Sequence, residues 1–321
     1  MSAFHSYRKE PLWLRLLLWV IAVILMFAAV AYQRSTGPTY PRKGNFIAGG
    51  QRYGYALIRS DTSVKTNPAA QVILPDPGPL TSGRLYWKRY RTQDAFGAIP
   101  LAHEMVAPPR GIWDLLRGRP KPDPRPSLVG RLPAQPAAGK LEYYLELDAG
   151  EGTQRFPAVE AGNVVIRFKD GVPAGILIPH ILMMFFSVLI GMRTGLAALF
   201  APSSMRRYSW LALVGMTVGG MVLGPIVQKY AFGEYWTGFP KGGDFTDNKM
   251  LIMWLSWVFA CAVIGFRPKR RELIPRAAVV LGALVMSAVY LIPHSMGGSE
   301  LNYEAVQQGV DPADAIRTGK R

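Results

Sequence analysis

Five long apolar stretches constrain this chain more than any other feature of its sequence. A helix of about twenty apolar residues spans a hydrocarbon core of roughly 30 Å. The stretches are Leu12–Tyr32, Ile176–Leu196, Trp210–Val227, Met250–Phe266 and Ala277–Ile292. A long polar segment separates the first stretch from the other four. The sequence therefore predicts a multi-pass membrane protein with one sizeable water-facing domain.

Basic residues mark one side of the predicted bundle. Lys and Arg in short flanking segments stay on the cytoplasmic side of a membrane. They occur before the first span, after the second and after the fourth: Arg8, Lys9, Arg15, Arg193, Arg206, Arg207, Arg267, Lys269, Arg270, Arg271 and Arg276. Arg15 and Arg193 lie near span ends, from which long side chains reach water. This pattern predicts a cytoplasmic N-terminus in a bacterial inner membrane, with residues 34–172, the loop 229–249 and the C-terminal tail outside.

The first apolar stretch has two interpretations. Ala29-Val30-Ala31 fits the small-residue cleavage rule of secretory signal peptides, whose apolar core is about 7–15 residues long. This stretch is longer and ends in Tyr32, Gln33 and Arg34, which favours an uncleaved anchor. Both interpretations export the domain that follows.

The net charge of +16 does not indicate nucleic-acid binding, because the basic flanks account for much of it. Residues 33–172 still carry twenty Lys and Arg against twelve Asp and Glu, a surplus of +8. That surplus fits either an ordinary basic surface or attraction to anionic headgroups or an acidic partner. Cys261, the only cysteine, lies within the fourth span, so the external domain has no disulfide.

The external segment reads as short strands separated by Pro, Gly and Asp. β-branched and aromatic residues with apolar–polar alternation are typical of half-buried strands. They predict strands at Tyr53–Arg59, Gln71–Leu74, Arg84–Arg91, Leu128–Leu132, Leu141–Leu147 and Val164–Phe168. Strands at such spacing indicate a β-sandwich.

Two resemblances add to this interpretation. The run Pro133–Lys140 leading into LEYYLEL, with RLYWKRYR upstream, resembles strand pairs of immunoglobulin-like and fibronectin type III domains. That resemblance implies a binding or spacing module. The loop 229–249 and the tail beginning IPHSMGGSELNY resemble uncharacterised bacterial inner-membrane proteins. The predicted fold class is thus a mixed membrane protein, with a five-span α-helical transmembrane bundle and an external all-β immunoglobulin-like sandwich.

Residues 107–126 interrupt the strand pattern with Pro, Arg and an apolar group around Trp113. They form either an inter-strand loop with one short helix or a docking loop with Trp113 as its partner-binding anchor.

The third span carries Gly215, Gly219, Gly220 and Gly224. Small residues four apart let helices approach closely. The partner helix could belong to the same chain or to a second copy, and packing within the chain is the favoured interpretation.

The outer ends of the spans hold the candidate site. Pro179-His180 lies about one turn inside the second span, and Pro293-His294 ends the fifth on the same side. His180 and His294 could be the axial ligands of a b-type haem. They could instead join Glu234, Asp244, Asp247 or Glu300 in a site for zinc or a similar divalent metal. A third interpretation is that they are interfacial histidines bonded to backbone or loop carboxylates.

The loop 229–249 also has structural interpretations. Thr246 or Asp247 is predicted to cap the fourth span, which follows directly. Tyr230, Tyr235 and Trp236 fit an aromatic belt at the membrane interface or, for Tyr235 and Trp236, a partner-binding surface. The sequence shows no nucleophile–base pattern, phosphate loop or zinc-protease motif. It shows no inverted repeat either, which argues against a transporter.

The predicted domains are an anchor (1–33), an external sandwich (34–172), a four-helix bundle (173–294) and an external tail (295–321). The leading hypothesis is a non-enzymatic binding or assembly component whose sandwich and outer loop engage an envelope protein. The alternatives are a redox subunit with one haem on His180 and His294, or an external metal site. The lipid bilayer is the expected environment, and no nucleic-acid partner is expected.

Overall fold

The computed structural model describes residues 10–108, 110, 114, 117–148, 152–266, 272–293 and 297–317. The chain divides into two compact units. The helical unit is drawn from Met1–Pro38, Gly171–Glu300 and Ile316–Arg321, and the β unit from Thr39–Asp170 and Leu301–Ala315. The segment 301–315, which the sequence analysis assigned to a separate tail, therefore belongs to the β unit.

Within the described residues, the helical unit has five helices long and apolar enough to cross a membrane. They are α1 (Leu12–Thr36), α2 (Ala174–Phe200), a composite helix (Pro202–Phe232), α5 (Phe245–Ile264) and α6 (Leu273–Leu291). Each overlaps one of the five predicted apolar stretches. The composite helix begins eight residues before the predicted Trp210, because its polar first turns are satisfied within the protein. Arg206 there donates to Glu272 at 2.9 Å and to the Ile264 carbonyl at 3.2 Å.

The composite helix changes its winding in the middle. A short 3-10 turn (Pro202–Ser204) leads into α3 (Met205–Met216), a π-helical segment (Thr217–Leu223) and α4 (Gly224–Phe232). Pro225 has no N–H to donate and its ring excludes the carbonyl four residues earlier. The wider π turn accommodates it, and the Gly224 N–H bonds to the Gly219 carbonyl instead.

Glycines of the composite helix face other helices of the same chain. A Cβ on Gly219 would lie 2.8 Å from Met183 Cβ, and one on Gly215 would lie 2.4 Å from Ser187 Oγ. Both neighbours are on α2. Close packing within the chain, predicted from the glycine spacing, is confirmed.

The β unit holds eleven strands among its described residues from 39 to 170. They are β1 (Arg42–Ala48), β2 (Gln51–Leu57), β3 (Ser60–Thr62), β4 (Ala69–Pro75), β5 (Ser82–Arg89), β6 (Gly97–Pro100), β7 (Ala102–Val106), β8 (Arg125–Pro133), β9 (Lys140–Asp148), β10 (Thr153–Phe156) and β11 (Val164–Lys169). Each of the six predicted strands overlaps one of these. The shorter strands β3, β6, β7 and β10 were not predicted, because three to five residues carry too little alternation. The seven-residue β1 was also missed.

Most strands join two larger sheets. One sheet has the order β3-β11-β9-β5-β6, with β10 also pairing with β9, and the other has the order β4-β8-β7. β1 and β2 form a hairpin of their own. All neighbours in the larger sheets are antiparallel except β3 and β11, which run parallel.

One apolar core joins the strands of both larger sheets. Alternate residues of β9, from Leu141 to Leu147, are buried in it together with Leu74 of β4 and Leu128 of β8. Burial of this kind contributes about 25 cal/mol for each Å² of apolar surface. The alternation that predicted the strand therefore also identified its core face.

The opposite face of β9 carries aromatic and charged side chains. Tyr144 stacks on Tyr86 of β5, with ring centroids 4.8 Å apart. The Arg155 guanidinium lies 4.1 Å from the Tyr144 ring centroid, and Phe96 meets the same ring edge-on at 5.3 Å. These four residues, with Lys88 5.3 Å from the Phe96 ring, form the aromatic–cationic face of the β unit.

The end of the chain returns to the β unit through Tyr303. This residue begins a short helix, α7 (Tyr303–Gln307), which lies between two short paired strands, β12 (Glu300–Leu301) and β13 (Ile316–Arg317). The Tyr303 hydroxyl accepts a hydrogen bond from the Lys140 N–H and donates one to the Lys140 carbonyl, both at 2.9 Å. Burial raises the pKa of Tyr303 well above its ordinary value.

Candidate functional site

The loop between the composite helix and α5 closes over a set of buried polar side chains. Thr237 and Ser299 are 0 % exposed, and Asp244 and Asp247 are also buried. Gln228 of α4 is half-buried and bonds to the Thr237 hydroxyl. We call these five residues the polar cluster. Burying so many polar groups is costly unless they bond to one another, which they do.

The Thr237 hydroxyl is the centre of the polar cluster. It accepts a hydrogen bond from Gln228 Nε2 at 2.6 Å. It lies 3.1 Å from Asp244 Oδ2, 3.2 Å from Asp247 Oδ2 and 3.1 Å from Ser299 Oγ. A hydroxyl has one proton to donate, so it can serve only one carboxylate at a time. The backbone supplies further donors, with the Thr237 N–H bonding to Asp247 Oδ2 at 2.6 Å.

Asp244 is the N-cap of α5. Its Oδ1 accepts from the Thr246 N–H at 2.7 Å and the Asp247 N–H at 3.4 Å. The prediction that Thr246 or Asp247 caps this helix is therefore wrong. The helix begins earlier, at Phe245, because the Asp244 carboxylate satisfies the free N–H groups two and three residues after it. The Asp247 side chain is instead turned back onto Thr237.

Two glycines let the backbone approach the carboxylates. Gly298 has φ +154°, and a Cβ there would lie 2.0 Å from Asp244 Oδ2. Its neighbour Ser299 donates its N–H to the same oxygen at 3.1 Å. A Cβ on Gly238 would lie 2.6 Å from Asp247 Cβ. The loop and the segment after α6 thus form one closely packed structure around the two aspartates.

Large aromatic side chains in this loop and at the start of α5 remain on the surface. Tyr235 is 57 % exposed and Phe239 is 68 % exposed, and Tyr230 and Phe245 are exposed as well. The Phe239 backbone is fixed on both sides. Its carbonyl accepts from Trp236 Nε1 at 3.0 Å, and its N–H donates to Asn248 Oδ1 at 2.7 Å. We call Tyr230, Tyr235, Phe239 and Phe245 the aromatic rim.

Both predicted partner-binding residues of the loop can be placed. Tyr235 is exposed, with Lys229 Nζ 5.5 Å from its ring centroid. Trp236 is only half-buried, with its indole N–H used inside the loop. Trp113, the third predicted anchor, lies outside the described residues.

His180 contacts the π-helical segment. Its Nδ1 lies 2.8 Å from the Gly219 carbonyl oxygen. A carbonyl only accepts hydrogen bonds, so Nδ1 carries the proton. In neutral imidazole this leaves Nε2 with its lone pair, the arrangement that metal-binding histidines adopt. His294 lies outside the described residues, so the paired-histidine haem site stays a prediction.

The predicted metal ligands do not all gather at one point. Asp244 and Asp247 share the polar cluster, whereas His180 contacts the composite helix. Glu234 is half-buried in the loop, and Glu300 begins β12. Among the described residues, no three His, Cys, Asp or Glu side chains are arranged to hold a metal ion. Since His294 is not among them, the six-residue set stays a prediction.

The sequence analysis did not identify three members of the polar cluster. Thr237, Ser299 and Gln228 are far apart along the chain and match no motif. Lys249, one turn into α5, is also buried and donates its ammonium to the Ile292 carbonyl. The sequence analysis placed Lys249 in the loop, just before the predicted span that begins at Met250, whereas α5 begins at Phe245 and includes it.

No protein-family model matches the chain, and no curated protein matches it.

Proposed function

We propose that this chain is an integral inner-membrane binding or assembly component. Its five long helices lie in the bilayer, and its β unit and outer loop engage an envelope protein on the external side. The five helices and the basic flanks support this arrangement, because Lys and Arg in short flanks stay cytoplasmic. The single observation that carries the proposal is that the exposed aromatic rim belongs to a loop whose backbone is held in place by hydrogen bonds of the buried polar cluster.

The aromatic rim has the properties of a binding surface. Tyrosine and other aromatic residues are enriched at protein interfaces and dominate their binding energy. Ordering a mobile loop on binding would cost free energy. Here the Thr237 hydrogen bonds and the Asn248–Phe239 bond already hold the loop in place, so Tyr235 and Phe239 are presented without that cost.

The β unit offers a second contact surface of compatible chemistry. Its aromatic–cationic face combines Tyr86, Tyr144 and Phe96 with Arg155 and Lys88. The surplus of +8 in residues 33–172 favours a partner with an acidic surface. The shared core of the two larger sheets supports the immunoglobulin-like sandwich interpretation, and such domains serve as binding modules by analogy.

Site-specific photo-crosslinking in intact cells tests this proposal. A benzophenone amino acid replaces Tyr235 in one variant and Phe239 in another, in the full-length chain. We expect ultraviolet light to produce one discrete protein–protein adduct from both positions, since their side chains are exposed and held in the same loop. Mass spectrometry of the adduct identifies the partner.

Phe266 provides the matched control. It is also an aromatic residue, is 80 % exposed, and follows the other end of α5. The benzophenone at Phe266 should not yield the same adduct. Formation of only lipid adducts at Tyr235 and Phe239 would identify the aromatic rim as a membrane-interface belt and contradict the proposal.

A further inference from the structure

Residues 301–315 differ in charge from the rest of the β unit, to which they belong. They include Glu304, Asp311 and Asp314 but no lysine or arginine. Residues 33–172, in contrast, carry a surplus of +8. We call residues 301–315 the acidic strap. Opposite charges attract, so the charge of the strap complements that of the rest of the unit.

Polar contacts with one turn hold the acidic strap in place. The Leu301 N–H donates to the Ala138 carbonyl at 3.1 Å. The Tyr303 hydroxyl accepts from the Lys140 N–H and donates to the Lys140 carbonyl, both at 2.9 Å. The Tyr90 N–H, just beyond β5, donates to the same carbonyl at 3.0 Å. The Tyr303 hydroxyl therefore completes the hydrogen bonding of Lys140 where β5 has ended.

Arg89, the last residue of β5, also contacts the strap. Its guanidinium carbon lies 5.3 Å from the Tyr303 ring centroid. With the Gln307 amide turned so that its oxygen faces Arg89, that oxygen accepts from Nη1 at 3.0 Å and from Nη2 at 2.6 Å. Arg89 Nε and Nη2 donate to the Asp94 carboxylate at 2.5 and 2.8 Å. Arg89 thus binds a carboxylate and the strap at the same time.

The strap has an apolar cluster of its own. Leu301, Tyr303 and Ala315 are buried in it, whereas the core that joins the strands is a separate cluster. The two ends of the strap are bonded to each other, since the Asn302 N–H donates to the Ala315 carbonyl at 2.8 Å. Separation of the strap from residues 138–140 therefore breaks polar contacts while the core of the strands stays closed. Such a local opening costs less free energy than global unfolding.

We propose that the acidic strap is a releasable cover, which competes with the envelope partner for the β unit. Asp94 uses Nε and one Nη2 proton of Arg89, so release of Gln307 leaves Nη1 and the other Nη2 proton for a second carboxylate. Arg91, two residues further on, is exposed and adds positive charge. The partner contributes an acidic segment that takes the place of the strap. The competition rests on the proposed function, whereas the opening of the strap does not.

Residue-resolved hydrogen exchange on the purified full chain tests the opening. The amide hydrogens of Lys140 and Leu301 bond across the contact, so their exchange requires the strap to separate. Leu145 lies in the middle of β9 and is buried in the core of the strands, so its amide exchanges only when the strands separate. We expect Lys140 and Leu301 to exchange at least about 100-fold faster than Leu145. Equal exchange rates at the three amides overturn the releasable strap.

Tyr303→Phe tests the hydroxyl that holds the strap. It keeps the ring and removes both hydrogen bonds with Lys140. Exchange at Leu301 should therefore rise at least about tenfold, while exchange at Leu145 stays unchanged. Tyr53→Phe makes the same chemical change on β2 and should leave exchange at Leu301 unchanged. An unchanged Leu301 rate in Tyr303→Phe overturns the role of this contact.

A fluorescently labelled synthetic peptide of residues 301–315 tests the competition. Its anisotropy is measured with the full chain, as wild type and as Tyr303→Phe. The strap occupies the site in wild type, so the apparent Kd should be at least about tenfold higher there than in Tyr303→Phe. A peptide with Glu304→Gln, Asp311→Asn and Asp314→Asn should bind Tyr303→Phe at least about threefold more weakly. Equal Kd values for the two chains, or no binding to Tyr303→Phe, overturn the competition.

Photo-crosslinking separates this proposal from the proposed function. A benzophenone amino acid replaces Gln93, which is exposed in the turn after β5, in wild type and in Tyr303→Phe. We expect the partner captured from Tyr235 to be captured here too, with at least about twofold higher yield in Tyr303→Phe. Capture from Tyr235 with equal Gln93 yields in both chains overturns the regulation and leaves the proposed function standing. Faster exchange and tighter peptide binding in Tyr303→Phe without any protein adduct support the strap and contradict the proposed function.

Discussion

Thr237 shows how one short side chain organises a loop. Its hydroxyl and N–H together contact Gln228, Asp244, Asp247 and Ser299. Thr237, Asp244, Asp247 and Ser299 are buried and Gln228 is half-buried, so most of their hydrogen bonds come from one another and from the backbone. A buried polar network of this kind is stabilising only when all its members are satisfied.

Replacing Thr237 with valine should therefore destabilise the helical unit. Valine keeps the shape but removes the hydroxyl, and with it the hydrogen bond from Gln228 Nε2 and the hydrogen bond with Ser299 Oγ. We expect a loss of about 1–3 kcal/mol, measured as a lower Tm by dye labelling of Cys261 in detergent. Thr153→Val makes the same chemical change at an exposed position of β10 and should have little effect. Equal Tm values for Thr237→Val and wild type would contradict the central role of this hydroxyl.

The composite helix shows how an element is shaped by the residues around it. Pro225 and the glycines before it produce a π-helical segment, and Gly219 places its backbone against Met183 and Met184 of α2. The Gly219 carbonyl also accepts the His180 hydrogen bond. One glycine thus combines close helix packing with the positioning of the histidine.

Gly219→Ala should separate the composite helix from α2. The new Cβ would lie 2.8 Å from Met183 Cβ and 3.2 Å from the Met184 backbone nitrogen, and backbone atoms cannot yield easily. We expect a loss of about 1–3 kcal/mol from overpacking, again read from the exposure of Cys261.

Gly175→Ala is the control for helix propensity. Gly175 lies on α2 with nothing within 4 Å of its Cβ position, so alanine there should be neutral or slightly stabilising. If Gly219→Ala is as stable as Gly175→Ala, the close approach inferred at this position is incorrect.

At the scale of the whole molecule, the basic flanks predict the orientation of the chain. The test begins with Cys261→Ser, which removes the only cysteine. Single cysteines are then introduced by Ser82→Cys in the β unit and Arg207→Cys on α3, both at exposed positions. A membrane-impermeant maleimide should label Ser82→Cys on intact spheroplasts and Arg207→Cys only after permeabilisation. The opposite pattern would show that the orientation is inverted.

The sequence by itself determined the elements whose signal is local and repeated. Apolar length identified the five long helices, and alternation identified strands such as β9 together with its buried face. Glycine spacing anticipated the packing of Gly215 and Gly219 against α2. These features follow from the period of the backbone and from burial of apolar surface, and neither depends on distant residues.

Only the tertiary structure decided which polar residues meet. Ser299 and Gln228 reach Thr237 from separate segments, Asp244 rather than Thr246 or Asp247 caps α5, and Tyr303 returns to Lys140 of the β unit. Arg193 read as a side chain near water and is enclosed by Trp19 and Tyr208. Hydrogen bonds and cation–π contacts are directional and short in range, so their partners are set by how the chain packs and not by its local pattern.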